Sequence, residues 1–285
     1  MGFHACGIAE AAPLTDEELG LHRWLADGDH AAMHYMEQHV AMRHDPSLLV
    51  PGARSVVSLL VGYKPSRMMT GKNRIAMYAY GEDYHTRIKQ MLFRLIEAIQ
   101  KEYPDFTAKP CVDTVPIADK HWAMRAGLGW VGNNTLFVSP VLGSLCNIAE
   151  LVTPAVFDRY DQPMQSRCGD CRRCVDACPN QALHDVEGGG WHLDARRCTS
   201  YHTVENREEQ LPATLHRNGY AFGCDCCQLA CPYNEQAPVS VEVSDEQLEE
   251  LQHLADADES QFKSFSRRRA LSRITYAQWR RNINN

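Results

Sequence analysis

Nine of the 12 cysteines in this 285-residue chain lie between positions 168 and 231: Cys168, Cys171, Cys174, Cys178, Cys198, Cys224, Cys226, Cys227 and Cys231. That stretch is rich in Gly and Pro and has little apolar periodicity, so it cannot build much core of its own and needs a staple. Disulfides would serve in an exported chain. The first residues, MGFHACGIAEAAPLTDEELG, show no cationic segment ahead of an apolar one, so no secretory signal is expected. The longest apolar stretch, Ser55 to Tyr63, falls short of the roughly 18 residues a membrane span requires. A cytoplasmic chain with no membrane association is the expectation, and clustered thiolates in a reducing compartment point to metal.

Spacing sharpens this. Cys168-Gly-Asp-Cys171-Arg-Arg-Cys174-Val-Asp-Ala-Cys178-Pro reads C-x2-C-x2-C-x3-C-P, and Cys224-Asp-Cys-Cys227-Gln-Leu-Ala-Cys231-Pro forms a matching half. This is the bacterial ferredoxin arrangement, in which three close thiolates wrap one cubane and the fourth crosses to a second. By that crossover, one [4Fe–4S] cluster takes Cys168, Cys171, Cys174 and Cys231. The other takes Cys178, Cys224, Cys227 and the remote Cys198. Structural zinc is the alternative, but zinc needs neither the trailing prolines nor three thiolates in a row. Cys226 could replace Cys224 or Cys227. Cys6, Cys111 and Cys146 read as buried small apolar residues. Two cubanes make a one-electron conduit, and the rest of the chain should hold what the conduit feeds.

The remainder divides into two regions around the cysteine segment (161–237). Residues 1–160 alternate helix and strand signals, the pattern of an α/β (α+β) layer. Thr15-Asp-Glu-Glu reads as a helix start, Ser55 to Val61 as a buried strand and His85 to Lys101 as an amphipathic helix. Ile117 to Ala126 should be helical until Gly127, with strands at Leu136-Phe-Val and Cys146 to Val152. Residues 238–285 read as a short helical segment of divided charge. Positions 241–259 carry acidic side chains without Lys or Arg, whereas the end carries Lys263, Arg267, Arg268, Arg269, Arg273, Arg280 and Arg281 without an acid.

Gly127-Leu-Gly129-Trp-Val-Gly132 matches G-x-G-x-x-G, with Glu150 about 20 residues on, where a dinucleotide fold would place its ribose-binding acid. The glycines follow a helix rather than a strand, which argues against that fold. A turn that lets a large flat ligand approach backbone is the better expectation. Asp113 sits in Val-Asp-Thr at a strand end. If desolvated there its pKa should rise, keeping it protonated as a general acid, and the alternative is a loop-capping role. His4, His30, His34, His39, His44, His85 and His121 follow no metal-binding order and read as surface or satisfied core residues.

Taken jointly, these residues resemble the cobalamin-dependent epoxyqueuosine reductases of queuosine biosynthesis. The resemblance runs through Trp24-Leu-Ala, His34-Tyr-Met36, Arg43-His-Asp-Pro, Leu49-Val-Pro-Gly-Ala-Arg-Ser55 and Tyr78-Ala-Tyr-Gly-Glu-Asp-Tyr-His85. It continues through Val112-Asp-Thr, Ala126 to Gly132, Asn134-Thr, Gly143-Ser144, Leu193-Asp-Ala-Arg-Arg-Cys198-Thr-Ser-Tyr and both cysteine runs. It implies an oxidoreductase holding base-off cobalamin in the first region beside two [4Fe–4S] clusters, and removal of the epoxide oxygen of epoxyqueuosine at the tRNA wobble position. It further implies Asp113 as proton donor and Met36, Ala76, Asp113, Trp130, Asn133, Asn134, Phe137, Ser144, Ile148 and Ser200 as cofactor contacts. Partners would be modified tRNA and a one-electron donor of flavodoxin or ferredoxin type, with the chain a monomer. Asn133 departs from the family's usual Lys, and many members continue into helical repeats that grip tRNA, so here the basic end is expected to contribute. The competing readings are another corrinoid iron–sulfur reductase, like the reductive dehalogenases, and a ferredoxin-type electron carrier. The second leaves the first region without employment.

Overall fold

In a computed structural model that describes residues 1–187 and 189–284, Glu17 without its side chain, the first region is organised by one antiparallel sheet. Its order is β1 (Ala5–Glu10), β2 (Ser55–Gly62), β7 (Cys146–Thr153), β4 (Lys109–Cys111). All three pairings are antiparallel, so the α+β form of the expected layer is the one adopted. Every residue of β2 is buried, as an apolar central strand covered on both faces must be.

Period-2 alternation sorts the two faces. Val57, Leu59 and Val61, with Ala149 and Leu151 of β7, pack on Ile88, Met91, Leu92 and Ile96 of the helix Tyr84–Glu102. Asp83 caps that helix by accepting from the His85 N–H at 3.0 Å. The opposite face, with Val56 and Val152, meets Trp122 of the helix Asp119–Arg125, which begins two residues later than Ile117. Contact on that face is close enough to demand glycine: a Cβ at Gly7 would stand 2.1 Å from the Ala126 carbonyl oxygen. Thr15 starts its helix with a capping box, and Gly20, at φ +61°, ends it.

The remaining strands are short. β5 (Trp130–Val131) and β6 (Phe137–Val138) form a hairpin, as do β8 (Leu183–Asp185) and β9 (Trp191–Leu193). β10 (Tyr220–Phe222) in the cysteine segment pairs in parallel with β3 (Arg74–Ile75) of the first region. The largest apolar core likewise draws on all three regions: Ile75, Met77 and Leu145, then Val204 and Phe222, then Leu251, Phe262, Leu271 and Trp279. Each region therefore completes its burial on the others. Asn285, the end of the third region, lies outside the described residues. No described helix is long and apolar enough to cross a membrane.

Two expectations of a buried thiol fail here: Cys6, on the edge strand β1, is exposed, and Cys146 is only partly buried. In the glycine-rich turn, Gly127 and Gly129 answer to the protein's own chain. A Cβ at Gly127 would meet the Gln162 carbonyl oxygen at 2.7 Å, and one at Gly129 the Val138 carbonyl oxygen at 2.1 Å.

Candidate active site and cluster sites

Four thiols line one cavity of about 360 Å³: Cys168, Cys171, Cys174 and Cys231. Cys174 lies on the short helix Arg173–Asp176, and Cys231 precedes the helix Pro232–Gln236, whose Tyr233 and Asn234 N–H groups aim at its sulfur. The Trp130 indole donates to Cys168 Sγ at 3.3 Å, and the Asn133 amide donates to the Cys171 carbonyl at 2.8 Å. Donors directed at sulfur suit a group that keeps its ligands as thiolates. The second set gathers around the partly buried Cys227, whose thiol lies within electrostatic reach of Cys198 and Cys178. Cys224 joins it through contact with Cys226 and reach to Cys227. Cys178 Sγ accepts from the Ala182 N–H at 3.2 Å. Cys226 is buried and accepts from the Asn218 amide at 3.1 Å.

A larger cavity, about 750 Å³, opens at one end of the sheet. The first region supplies most of its wall, including Tyr35, Met36, Arg43, Tyr78, Tyr84, His85, Asp113, Asp119 and Lys120. The cysteine segment adds Val204 and Glu205, and the C-terminal segment adds Ala270 and Arg273. Arg273 is held in a bidentate pair by Glu205, at 2.9 and 2.7 Å. That contact draws the C-terminal segment over the cavity.

Asp113 follows β4 in the left-handed region, at φ +49°. The phenol of Tyr84 donates to Asp113 Oδ2 at 2.8 Å, and His85 Nε2 lies 2.9 Å from the same oxygen. His85 Nδ1 is 2.7 Å from Asp83 Oδ1, and its ring stacks on Tyr84 with centroids 4.0 Å apart. Burial pushes the Asp113 carboxyl up, but hydrogen bonds from His85 and Tyr84, with the charges of His85 and Arg273, outweigh it and hold the group below its ordinary range. The hydrogen bond to Asp113 raises the His85 pKa in turn, against a smaller opposing effect of burial. This runs against the expectation of a raised Asp113: the contacts that lower its carboxyl raise the His85 imidazole, so the pair favours the proton on His85. Burial raises the Tyr78 and Tyr84 phenols, so both remain protonated donors.

The expected cofactor contacts fall in several places. Met36 and Asp113 face the large cavity, while Asn133 and Asn134 line the first cluster cavity. Phe137 and Ile148 pack in a core with Leu60 and Leu142. Ser144 sits in a buried network, its Oγ accepting from the Asn234 and Gln228 amides at 2.9 and 3.2 Å. Ala76 packs against Gly223, and Ser200 lies on the helix Thr199–Val204. Sequence reasoning passed over Tyr84 and His85 as functional groups. Their signal was the run Tyr78-Ala-Tyr-Gly-Glu-Asp-Tyr-His85, which carries four donors, Tyr78, Tyr80, Tyr84 and His85, into the start of an amphipathic helix.

Comparisons with known proteins agree with this arrangement. Residues 43–114 match the family model described as epoxyqueuosine reductase QueG, DUF1730, and residues 167–234 match a 4Fe-4S double cluster binding domain. The chain is similar to the epoxyqueuosine reductase of Leadbetterella byssophila, 39% identical over 99% of this chain and 93% of that protein. Among solved structures it is similar to the Streptococcus thermophilus epoxyqueuosine reductase, at 28% identity and a TM-score of 0.85. A further structure, of an epoxyqueuosine reductase with an epoxyqueuosine-modified tRNA-Tyr stem loop, matches at 28% identity and a TM-score of 0.82. Both matches cover 99% of this chain and 76% of the other.

Proposed function

The chain belongs to the epoxyqueuosine reductase family, and from that premise we propose that it removes the epoxide oxygen of epoxyqueuosine in tRNA, at the wobble position, leaving queuosine. It is an oxidoreductase with two [4Fe–4S] clusters. The observation that carries the reading is the cavity shared by Asp113, His85 and Tyr84, walled in part by the same segment that presents the eight cluster thiols. An electron carrier alone has no use for an acid–base cluster of this kind.

The ligand sets follow the spacing: Cys168, Cys171, Cys174 and Cys231 for one cluster, Cys178, Cys198, Cys224 and Cys227 for the other. Base-off cobalamin would be held at the large cavity, where Leu19, Leu21, Met36, Ile117 and Val204 offer an apolar wall beside Asp113 and Arg43, with Trp130, Asn133 and Asn134 on the side of the first cluster. When bound it supplies a strongly reducing cobalt centre. The protein's part is acid–base work and exclusion of water. The proton held on His85 Nε2 reaches the departing epoxide oxygen through Asp113 Oδ2, while Tyr84 fixes the carboxyl's orientation. Closing the cavity with substrate strips water from Asp113 and favours its neutral form, the one that donates.

Arg267 and Arg268 are exposed and offer phosphate contacts, whereas Arg273 and the buried Arg281 are engaged within the chain. RNA affinity should therefore be modest and salt-sensitive. A flavodoxin- or ferredoxin-type carrier would reduce the clusters, and the chain would act as a cytoplasmic monomer. The test is anaerobic incubation of the reconstituted holoenzyme with a reductant and epoxyqueuosine-containing tRNA, followed by nucleoside analysis. Queuosine should appear in proportion to enzyme turnover. Unchanged epoxyqueuosine, or absorbance indifferent to added cobalamin, would sink the reading.

A further inference from the structure

Beneath the cavity lie two carboxyls that the steps above leave unused. Glu150 is in the middle of β7, fully buried, with Ser58 and Cys111 as its cross-strand neighbours. Asp119 opens the helix Asp119–Arg125 above it and lines the cavity. Neither oxygen of Glu150, nor Asp119 Oδ1, accepts from any N–H or O–H group among the described residues. Each instead lies within electrostatic reach of the other. Two carboxylates repel, so burying both this near to one another favours a proton on one of them.

The surroundings preserve that proton. Burial, first of all, raises both carboxyls, Asp119 to about 7 and Glu150 well above its ordinary value. Asp113 faces the pair and raises both further, while the Cys111 thiol is itself pushed up by burial and by Glu150. Two cations stand nearby. Arg43 lowers Asp119 slightly, and Lys120 directs its ammonium to the Thr135 carbonyl oxygen at 2.8 Å.

The reaction proposed above, on which this inference rests, has a definite proton count. Both C–O bonds of the epoxide break, a C=C bond forms, and the oxygen leaves as water. That takes two electrons, delivered singly from the external carrier through the clusters, and two protons. The Asp113–His85 pair holds one of them. We propose that Asp119 and Glu150 hold the second as a shared proton, which Asp119 delivers into the cavity while Glu150 acts as the positioning residue that keeps it stored.

The test is made on wild-type holoenzyme, Glu150→Gln and Asp119→Asn. Infrared spectra of the wild type at neutral pH should show a protonated-carboxyl carbonyl band that shifts in D2O, absent from Glu150→Gln. Gln keeps the shape but its amide can only donate to Asp119, which favours the Asp119 carboxylate while burial and Asp113 continue to raise it. Turnover of Glu150→Gln should match wild type in mild acid and fall about tenfold near pH 8, its alkaline limb moving downward. Asp119→Asn should lose about a hundredfold across the range with cluster absorbance and cobalamin uptake intact. Its infrared and pH readouts decide the matter if Glu150→Gln does not fold. A superimposable pH profile with the band retained overturns the proposal. Wild-type enzyme that shows the band but leaves epoxyqueuosine untouched instead overturns the reaction on which the proposal rests.

Discussion

The cysteine segment and the large cavity solve the same problem, holding reactive groups together, by opposite means. Three of the four thiols lining the smaller cavity come from within seven residues, Cys168 to Cys174, and only Cys231 is remote. The cavity groups come from segments far apart in the chain: Arg43, Tyr84 and His85, Asp113, Asp119, and finally Arg273. The first arrangement needs a ligand to complete it, because little apolar surface holds the segment together. The second is completed by packing, since its walls are the ends of a buried sheet and helices. Loss of a group should therefore be felt in different currencies: in metal content and folding for one, in turnover and pH dependence for the other.

The sharpest separation comes from Cys231→Ser beside Asp113→Asn. Cys231→Ser should reduce iron from about eight per chain toward about four, abolish turnover and lower the yield of folded protein, as metal analysis and visible absorbance will show. Asp113→Asn should retain both clusters yet lose about 10²–10⁴ in turnover. If Asp113→Asn also lost iron, the two regions would not be independent and the contrast would break.

Next in size is packing. Gly7→Ala drives a methyl against the Ala126 carbonyl oxygen, and should cost about 1–3 kcal/mol in urea unfolding without altering the cluster spectrum.

The ion pair gives a pH signature whose sign is set by the shifts. His85 is raised, so its share of stability is complete below its unfolded value of about 6.5 and vanishes as pH climbs through the folded value. Asp113 is lowered, so its share is complete above about 3.9 and vanishes as pH falls through the folded value. The stability difference between wild type and His85→Gln should be largest between these limits and shrink on either side. A difference independent of pH would remove the pairing from the account.

The smallest effect tests the border between the regions. Trp130→Phe deletes the donor to Cys168 Sγ and should lower the potential of the first cluster by about 50 mV, the one-electron equivalent of one modest hydrogen bond. An unshifted potential in spectroelectrochemistry would show that the indole serves packing alone.

How much of this could be read from the chain depends on how local each feature is. The helix over Tyr84–Glu102, the buried β2 and the capped start at Thr15 were all legible, since each rests on periodicity or capping within a few residues. The grouping of Cys168, Cys171 and Cys174 around one cavity was legible for the same reason, whereas Cys231 joins them from a distant repeat of the spacing. Cys6 misled because an apolar-looking residue on an edge strand is exposed by its position in the sheet. The backbone that Gly129 and Gly127 accommodate, at Val138 and Gln162, was not legible because it is brought close by a hairpin or is distant in sequence.

The residue pattern alone determined the family, the cluster chemistry and the singling out of Asp113, because thiolate spacing and motif order survive in one dimension. Only the folded molecule brought Tyr84 and His85 onto Asp113, set Arg273 in the cavity wall from the far end of the chain, and placed the buried Glu150 within reach of Asp119. Those outcomes depend on desolvation and on charge separations of a few ångströms, and both quantities come into being when distant segments pack together.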